Sequence, residues 1–260
     1  MNGSTSLKDT FQNIVDVYDK ARPRYPQTLL NDILCFSDVS SFQTGLEVGA
    51  GTGQATEMFI DKIEQLDVVE VGEKQVEFLN HKFKDRNVFA YKSYFEDFDT
   101  VKKYDLIYSA TAFHWVDANI GYPKAWSMLN NGGTMAVFWH MFSVTFHDEG
   151  LFKGLNRIDK KYMPDHSLGF DDKGIEEVKK RRISQIQSGN FFSVSNIKEY
   201  RWNDKYDADR YSLLLESFSS TQKLPENKKL QYLHEVKQYI NENGGNVVVP
   251  QHVMLYLMKK

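Results

Sequence analysis

Short apolar runs alternate with segments of helical spacing from about Gln43 to Trp139. Gly45-Leu46-Glu47-Val48 predicts a strand, after which Ala55, Met58, Phe59 and Ile63 recur at helical intervals. Leu66 to Val71 predicts a second strand, followed by a helix marked by Val76, Leu79 and Phe83. Further strands are expected over Val88 to Lys92, Tyr104 to Tyr108 and Thr134 to Trp139. Tyr122, Ala125, Trp126 and Leu129 predict the helix before the last of these, ended by Asn130-Asn131-Gly132-Gly133. A βαβα rhythm of this kind predicts an α/β fold, a parallel sheet with helices on both faces.

The flanks read differently. Pro26 can open a helix carrying Leu29, Leu30, Ile33 and Leu34. Residues 141–200 lose the rhythm and suggest an insertion over the sheet, an acceptor-side lid. Helical spacing returns at Ala208, Tyr211, Leu215 and Phe218, and again at Leu230, Leu233, Val236 and Ile240. Val247-Val248-Val249 and Val253 to Met258 are expected as antiparallel edge strands. One domain is expected over 1–260, with an arm at 1–40, a core at 43–139, the insertion at 141–200, and helices with edge strands at 201–260.

Composition excludes more than it identifies. With 41% hydrophobic and 26% charged residues, the chain resembles a folded domain rather than a disordered one. A formal charge of −3 gives no electrostatic case for nucleic acid. Lys179-Lys180-Arg181-Arg182, without interleaved aromatics, is expected on a solvated helix face. The only cysteine, Cys35, allows no internal disulfide or thiolate cluster and is expected in the core. No metal site is expected. No leader pattern or membrane-length apolar run is visible, so a cytoplasmic protein, monomeric or homodimeric, is expected.

The chemistry concentrates in Glu47-Val48-Gly49-Ala50-Gly51-Thr52-Gly53-Gln54, between a strand and a helix. Glycines permit positive φ and close approach of a ligand to the main chain. A dinucleotide fingerprint would require glycine at position 54, where Gln54 stands. Glu70 ends the following strand, where a carboxylate can accept hydrogen bonds from both hydroxyls of a ribose.

This combination resembles the class I S-adenosylmethionine-dependent methyltransferases. The likeness continues through Tyr104-Asp105-Leu106-Ile107-Tyr108 and Ser109-Ala110-Thr111-Ala112-Phe113-His114-Trp115-Val116-Asp117. The His-Trp pair, Tyr18-Asp19-Lys20-Ala21-Arg22-Pro23-Arg24-Tyr25-Pro26, and the ending with Gly244-Gly245 and Val253 to Lys259 are similar to the trans-aconitate methyltransferase subgroup. The resemblance implies a Rossmann-like, seven-stranded, mostly parallel sheet with a reversed final hairpin. It implies S-adenosylmethionine as cofactor and S-adenosylhomocysteine as product.

By the same resemblance, Glu47, Gly49, Ala50, Gly51, Gly53, Glu70 and Val71 surround the cofactor, and Tyr94, Phe95 and Glu96 lie around its adenine. Ser109 and Ala110 follow along the methionine portion, Phe113 also lies against the cofactor, and Tyr18 and Arg22 reach it from the arm. Tyr25, His114, Trp115, Trp139 and His140 are expected to line the pocket of a small-molecule acceptor, which could be a carboxylate. For His114 three roles stand open: general base, positioning donor, or packing beside Trp115, with positioning the expected one. Two other classes compete, a nicotinamide-dependent oxidoreductase and a catalytically silent cofactor-binding subunit. The residue at position 54 argues against the first, and the complete glycine and carboxylate set against the second.

Overall fold

The computed structural model describes residue 19 and residues 22–141, 150–165 and 172–260. In chain order the elements are α1 (Gln27–Ser37), β1 (Phe42–Val48), α2 (Gln54–Phe59), β2 (Ile63–Glu70), α3 (Glu73–Lys82), β3 (Val88–Lys92) and β4 (Tyr104–Ala110). A single 3₁₀ turn (Phe113–Trp115) precedes α4 (Ala118–Met128) and β5 (Leu129–His140). Then come α5 (Gly150–Tyr162), α6 (Asp172–Gln187), β6 (Asn196–Asp207), α7 (Ala208–Glu216), α8 (Ser219–Gln222), α9 (Glu226–Glu242) and β7 (Asn246–Lys259).

The strands form one seven-stranded sheet in the order β3-β2-β1-β4-β5-β7-β6. Strands β1 to β5 run parallel, whereas β7 returns antiparallel along β5, with Thr134 opposite Lys259 and His140 opposite Val253. This is the Rossmann-like class I arrangement with its reversed hairpin. Leu46, Leu66, Val68, Leu106, Ile107 and residues Met135–Phe138 are buried, as expected of strands covered on both faces. Chain order reverses across β1 and β4, so their carboxyl ends form the crevice where open α/β sheets bind ligands.

The chain divides into two compact units, one of residues 24–140, 177–200 and 253–260, the other of residues 1–23, 141–176 and 201–252. The second has a core of its own, in which Leu155 and Ile158 of α5, Tyr211 and Leu215 of α7, and Tyr232, Val236 and Ile240 of α9 are buried together.

Four expectations are corrected. Val247 to Met258 belongs to one strand, β7, which lies inside the sheet, and the edge is β6, starting within the stretch expected to be irregular. Asn130 to Gly133 is no helix stop but an irregular start to β5: Tyr104 pairs with Leu129 and Leu106 already with Thr134. Lys260 closes this start, its N–H donating to the Gly133 carbonyl at 3.0 Å and its carbonyl accepting from the Gly132 N–H at 3.2 Å. Cys35 is exposed, because the apolar stripe of α1 runs through Leu29, Leu30, Ile33 and Leu34 and leaves it on the opposite side. Arg182 does not share the solvated face expected for its charge run. It falls on the inward stripe of α6 with Ile175, Val178 and Ile186, at intervals of three and four residues.

Candidate functional site

Three glycines shape the turn from β1 into α2. Gly49, Gly51 and Gly53 have φ of 75°, 58° and 84°, in the left-handed region where a Cβ is strained. A Cβ on Gly49 would also stand 2.4 Å from the Cβ of Ala112. The buried Glu70 carboxylate ties this loop to the end of β2. Its Oε2 accepts from the Gly51 N–H at 2.8 Å and its Oε1 from the Gly72 N–H at 2.9 Å. Each oxygen keeps a further lone pair for a ligand hydroxyl. Ala50 is buried in the loop, and Val71 is half-buried beside Glu70.

Glu47 lies deeper. Its Oε2 accepts from Thr56 Oγ1 at 2.6 Å and from the Tyr108 hydroxyl at 2.8 Å, while the buried Oε1 has no hydrogen-bond partner among the described residues. Burial raises its pKa from the ordinary 4.5 to about 7, against the lowering effect of those two hydroxyls. Phe95 is buried with its ring 5.9 Å from that of the buried Phe113, whereas Tyr94 is exposed. Glu96 accepts from the Asp117 N–H at 3.1 Å, which fixes the start of α4. Ser109 donates to the Val48 carbonyl at 2.7 Å, and Ala110, at the end of β4, is half-buried.

Beyond β4 the chain makes a strained step. Thr111 has φ of 54°, a costly conformation for a β-branched residue. Its N–H donates to the Phe138 carbonyl at 2.7 Å, and its Oγ1 accepts from the His140 N–H at 3.2 Å. The same Oγ1 hydrogen-bonds the Tyr25 hydroxyl at 2.9 Å, and the rings of Tyr25 and His140 lie 4.8 Å apart. Thr111 thus joins Tyr25 to the end of β5.

His114 belongs to a second group. The indole N–H of Trp139 donates to its Nδ1 at 3.1 Å. An indole nitrogen can only donate, so Nδ1 must hold its lone pair, and the neutral ring carries its proton on Nε2. The residue keeps an exposed surface, yet protein crowds its ring, and this burial together with Arg182 and Arg181 lowers its pKa to about 4. Trp115 is partly exposed with its ring 4.9 Å from His114. The Arg182 guanidinium lies over the Trp139 ring at 3.6 Å.

Of the residues expected from sequence, the structure gathers the glycine loop with Glu70, Phe95 with Phe113, Tyr25 with His140, and His114 with Trp115 and Trp139. Arg22 donates to the Ser217 carbonyl at 3.1 Å, with its guanidinium over Phe218. Tyr18 lies outside the described residues. Thr111 and Arg182 were missed. Nothing in sequence announces a threonine at positive φ, but the spacing of Ile175, Val178 and Ile186 marked position 182 as inward.

Residues 46–133 match the family model described as a methyltransferase domain. Among curated relatives, a Saccharomyces cerevisiae protein provisionally named the S-adenosylmethionine-dependent methyltransferase CRG1 is 27% identical over 140 residues, 50% of this chain and 46% of its own. Malonyl-[acyl-carrier protein] O-methyltransferase 1 of Ilyobacter polytropus is 30% identical over 95 residues, 35% of each. The chain thus spans less than half the length of these curated relatives. A solved structure from Anaeromyxobacter dehalogenans, provisionally named a type II methyltransferase, superposes with a TM-score of 0.61 at 16% identity, covering 92% of this chain and 97% of that one. The YcgJ protein of Bacillus subtilis gives 0.54 at 15%, covering 90% and 99%. At such identity these two establish the fold. The match to a methyltransferase domain thus covers residues 46–133, and the fold that holds them is the Rossmann-like class I arrangement.

Proposed function

We propose that this chain is a methyltransferase that moves the methyl group of S-adenosylmethionine to a small-molecule acceptor. The observation that carries the reading is the Glu70 carboxylate fixed by the Gly51 and Gly72 N–H groups, with lone pairs left for ribose hydroxyls. Gly49 to Gly53 fit the cofactor because no side chain stands between a ligand and the backbone at the three glycines. Phe95 and Phe113 border the adenine, and Ser109 and Ala110 the methionine portion. When bound, the cofactor supplies an electrophilic methyl on a sulfonium sulfur.

The protein's own contribution is placement and exclusion of water. His114, its Nδ1 occupied by Trp139, offers an Nε2–H donor that can orient an acceptor oxygen. It is poorly suited to act as a base, since burial and two arginines disfavour its protonated form. An acceptor that is already nucleophilic at neutral pH, such as a carboxylate, needs no base, which supports that class over an alcohol.

Calorimetry with S-adenosylhomocysteine, S-adenosylmethionine and NAD tests the reading. Binding of the first two and not of NAD is expected. Glu70→Ala should weaken binding by roughly 1.5–3 kcal/mol, the range for hydrogen bonds to a charged group. Unchanged affinity in that variant would remove Glu70 from the site, and a preference for NAD would overturn the reading.

A further inference from the structure

The sheet ends on one side at β3, which among the described residues pairs only with β2. The Asn87 carbonyl accepts from the Leu66 N–H and the Ser93 N–H donates to the Glu70 carbonyl, both at 3.0 Å. Alternate residues carry the bonds of a parallel ladder, so Phe89 and Tyr91 also turn their backbone groups toward β2. Val88, Ala90 and Lys92 therefore turn theirs outward. The Val88 N–H is taken by the Arg86 carbonyl at 2.8 Å. The N–H and carbonyl of Ala90 and of Lys92, and the Val88 carbonyl, are left along the edge. Little guards it. Phe89 and Tyr91 are exposed on one face, no proline interrupts the strand, and its one charge, Lys92, is tied to Glu73 at 2.9 Å. An edge of this kind is a template for another strand.

We propose that this edge pairs with β3 of a second copy, antiparallel about a two-fold axis at Ala90, so that two sheets join into one. The strand is self-complementary about that residue. The two Ala90 residues exchange N–H to carbonyl bonds, and each Lys92 N–H donates to the partner's Val88 carbonyl. Phe89 then lies opposite the partner's Tyr91 at a non-hydrogen-bonded position, where side chains approach most closely. The covering helix fits as well. α3 packs over β3 and β2, so across the axis the two helices stand two strand spacings apart, about 10 Å, an ordinary interhelical distance. They run antiparallel, and the exposed flank of α3 passes from Glu73 and Glu77 at its start to Lys84 just beyond its end. Acidic start meets basic end on both sides of the axis. An extended peptide would take the hydrogen bonds but offers no counterpart to the helix flank, which selects a second copy of this chain.

One strand and one helix flank from each copy make a small interface of the weak class, for which sedimentation velocity over about 2–200 µM is suited. The wild type should pass from monomer to dimer across that range. Ala90→Pro removes an outward N–H and leaves the bonds to β2 in place. It should weaken the dimer by about tenfold or more with the circular dichroism spectrum unchanged. In a Cys35→Ser background, Ala90→Cys should form a disulfide with its own copy on mild oxidation, since the paired Cα atoms stand about 5.5 Å apart. Val88→Cys, displaced from its counterpart by four residues, should not. The cross-links decide the matter even if Ala90→Pro fails to fold. A wild type that stays monomeric throughout, a folded Ala90→Pro that dimerises equally well, or equal cross-linking at positions 88 and 90 would each overturn the pairing. Amides of Ala90 and Lys92 protected from exchange in a monomer would overturn it too, the edge then being covered within a single chain.

Discussion

Glu47 carries the largest electrostatic cost within the glycine-loop region, and the direction of its effect on stability follows from its pKa. In the unfolded chain it ionises near 4.5, and in the fold near 7 because burial disfavours the carboxylate. Below pH 4.5 both states hold the proton and the group is neutral to stability. Between 4.5 and about 7 the folded state binds the proton that the unfolded state has lost, so stability falls as pH rises, by about 3 kcal/mol in all. Above that window both states are ionised and the loss is complete. Glu47→Gln keeps an oxygen to accept from Thr56 and Tyr108 and removes the ionisation. The wild-type stability relative to this variant, from urea melts, should therefore decline by about 3 kcal/mol between pH 4.5 and 8. A flat difference would mean that Glu47 stays neutral, or is solvated, throughout. Thr111 stores cost in another form, a strained backbone that sequence propensity would never assign to threonine. Both residues stand at the carboxyl ends of central strands, where local preferences yield to the geometry of a site.

The glycine loop was the most legible element, because three glycines set between an apolar run and a helical period suit little besides a tight turn that a ligand can approach. The parallel strands were legible for a similar reason: buried on both faces, they appear as continuous apolar runs. Strand β6 was not. Lys198, Tyr200, Trp202, Asp204 and Tyr206 occupy its inward-facing alternate positions, so two of the five are charged and the period of two is hidden. Lys198 and Tyr200 meet Asp32 of α1 at 3.2 and 2.6 Å, and Asp204 meets Arg210, contacts no sequence pattern announces. Inward charges on an edge strand also discourage pairing with another chain. The loop itself allows a test at this scale. Gly49→Ala meets both a φ of 75° and the Ala112 Cβ at 2.4 Å. Overpacking typically costs about 1–3 kcal/mol, and the left-handed backbone about 1–2 more. Adding Ala112→Gly removes the collision but not the backbone strain, so the double variant should recover part of the stability lost, read as the urea midpoint. No recovery would show that the loop does not pack on Ala112.

At the scale of the whole molecule, the sheet is complete only when its last strand has entered it. β7 lies between β5 and β6, so β1 to β5 leave an open, apolar edge until residues near the end of the sequence arrive. That edge is the strand bearing Trp139, which pairs with Met254 and meets the Tyr256 ring at 5.7 Å, so the candidate site depends on the same event. Val253, Met254, Leu255, Leu257 and Met258 are all fully buried. At about 1.5–3 kcal/mol each, their burial amounts to roughly 8–15 kcal/mol, an upper figure because the unfolded chain already hides some of this surface. Domains of ordinary stability hold only about 5–15 kcal/mol in total. The arithmetic leaves no margin: a chain ending at His252 should show no cooperative thermal transition, should expose β5 as a pairing edge that promotes aggregation, and should fail to bind S-adenosylhomocysteine. Circular dichroism on heating, with light scattering alongside, reads the first two outcomes, and calorimetry reads the third. A monomeric truncated chain melting cooperatively within a few degrees of the wild type would show that β5 does not need its antiparallel partner, and that the Trp139 cluster is held by the parallel strands alone.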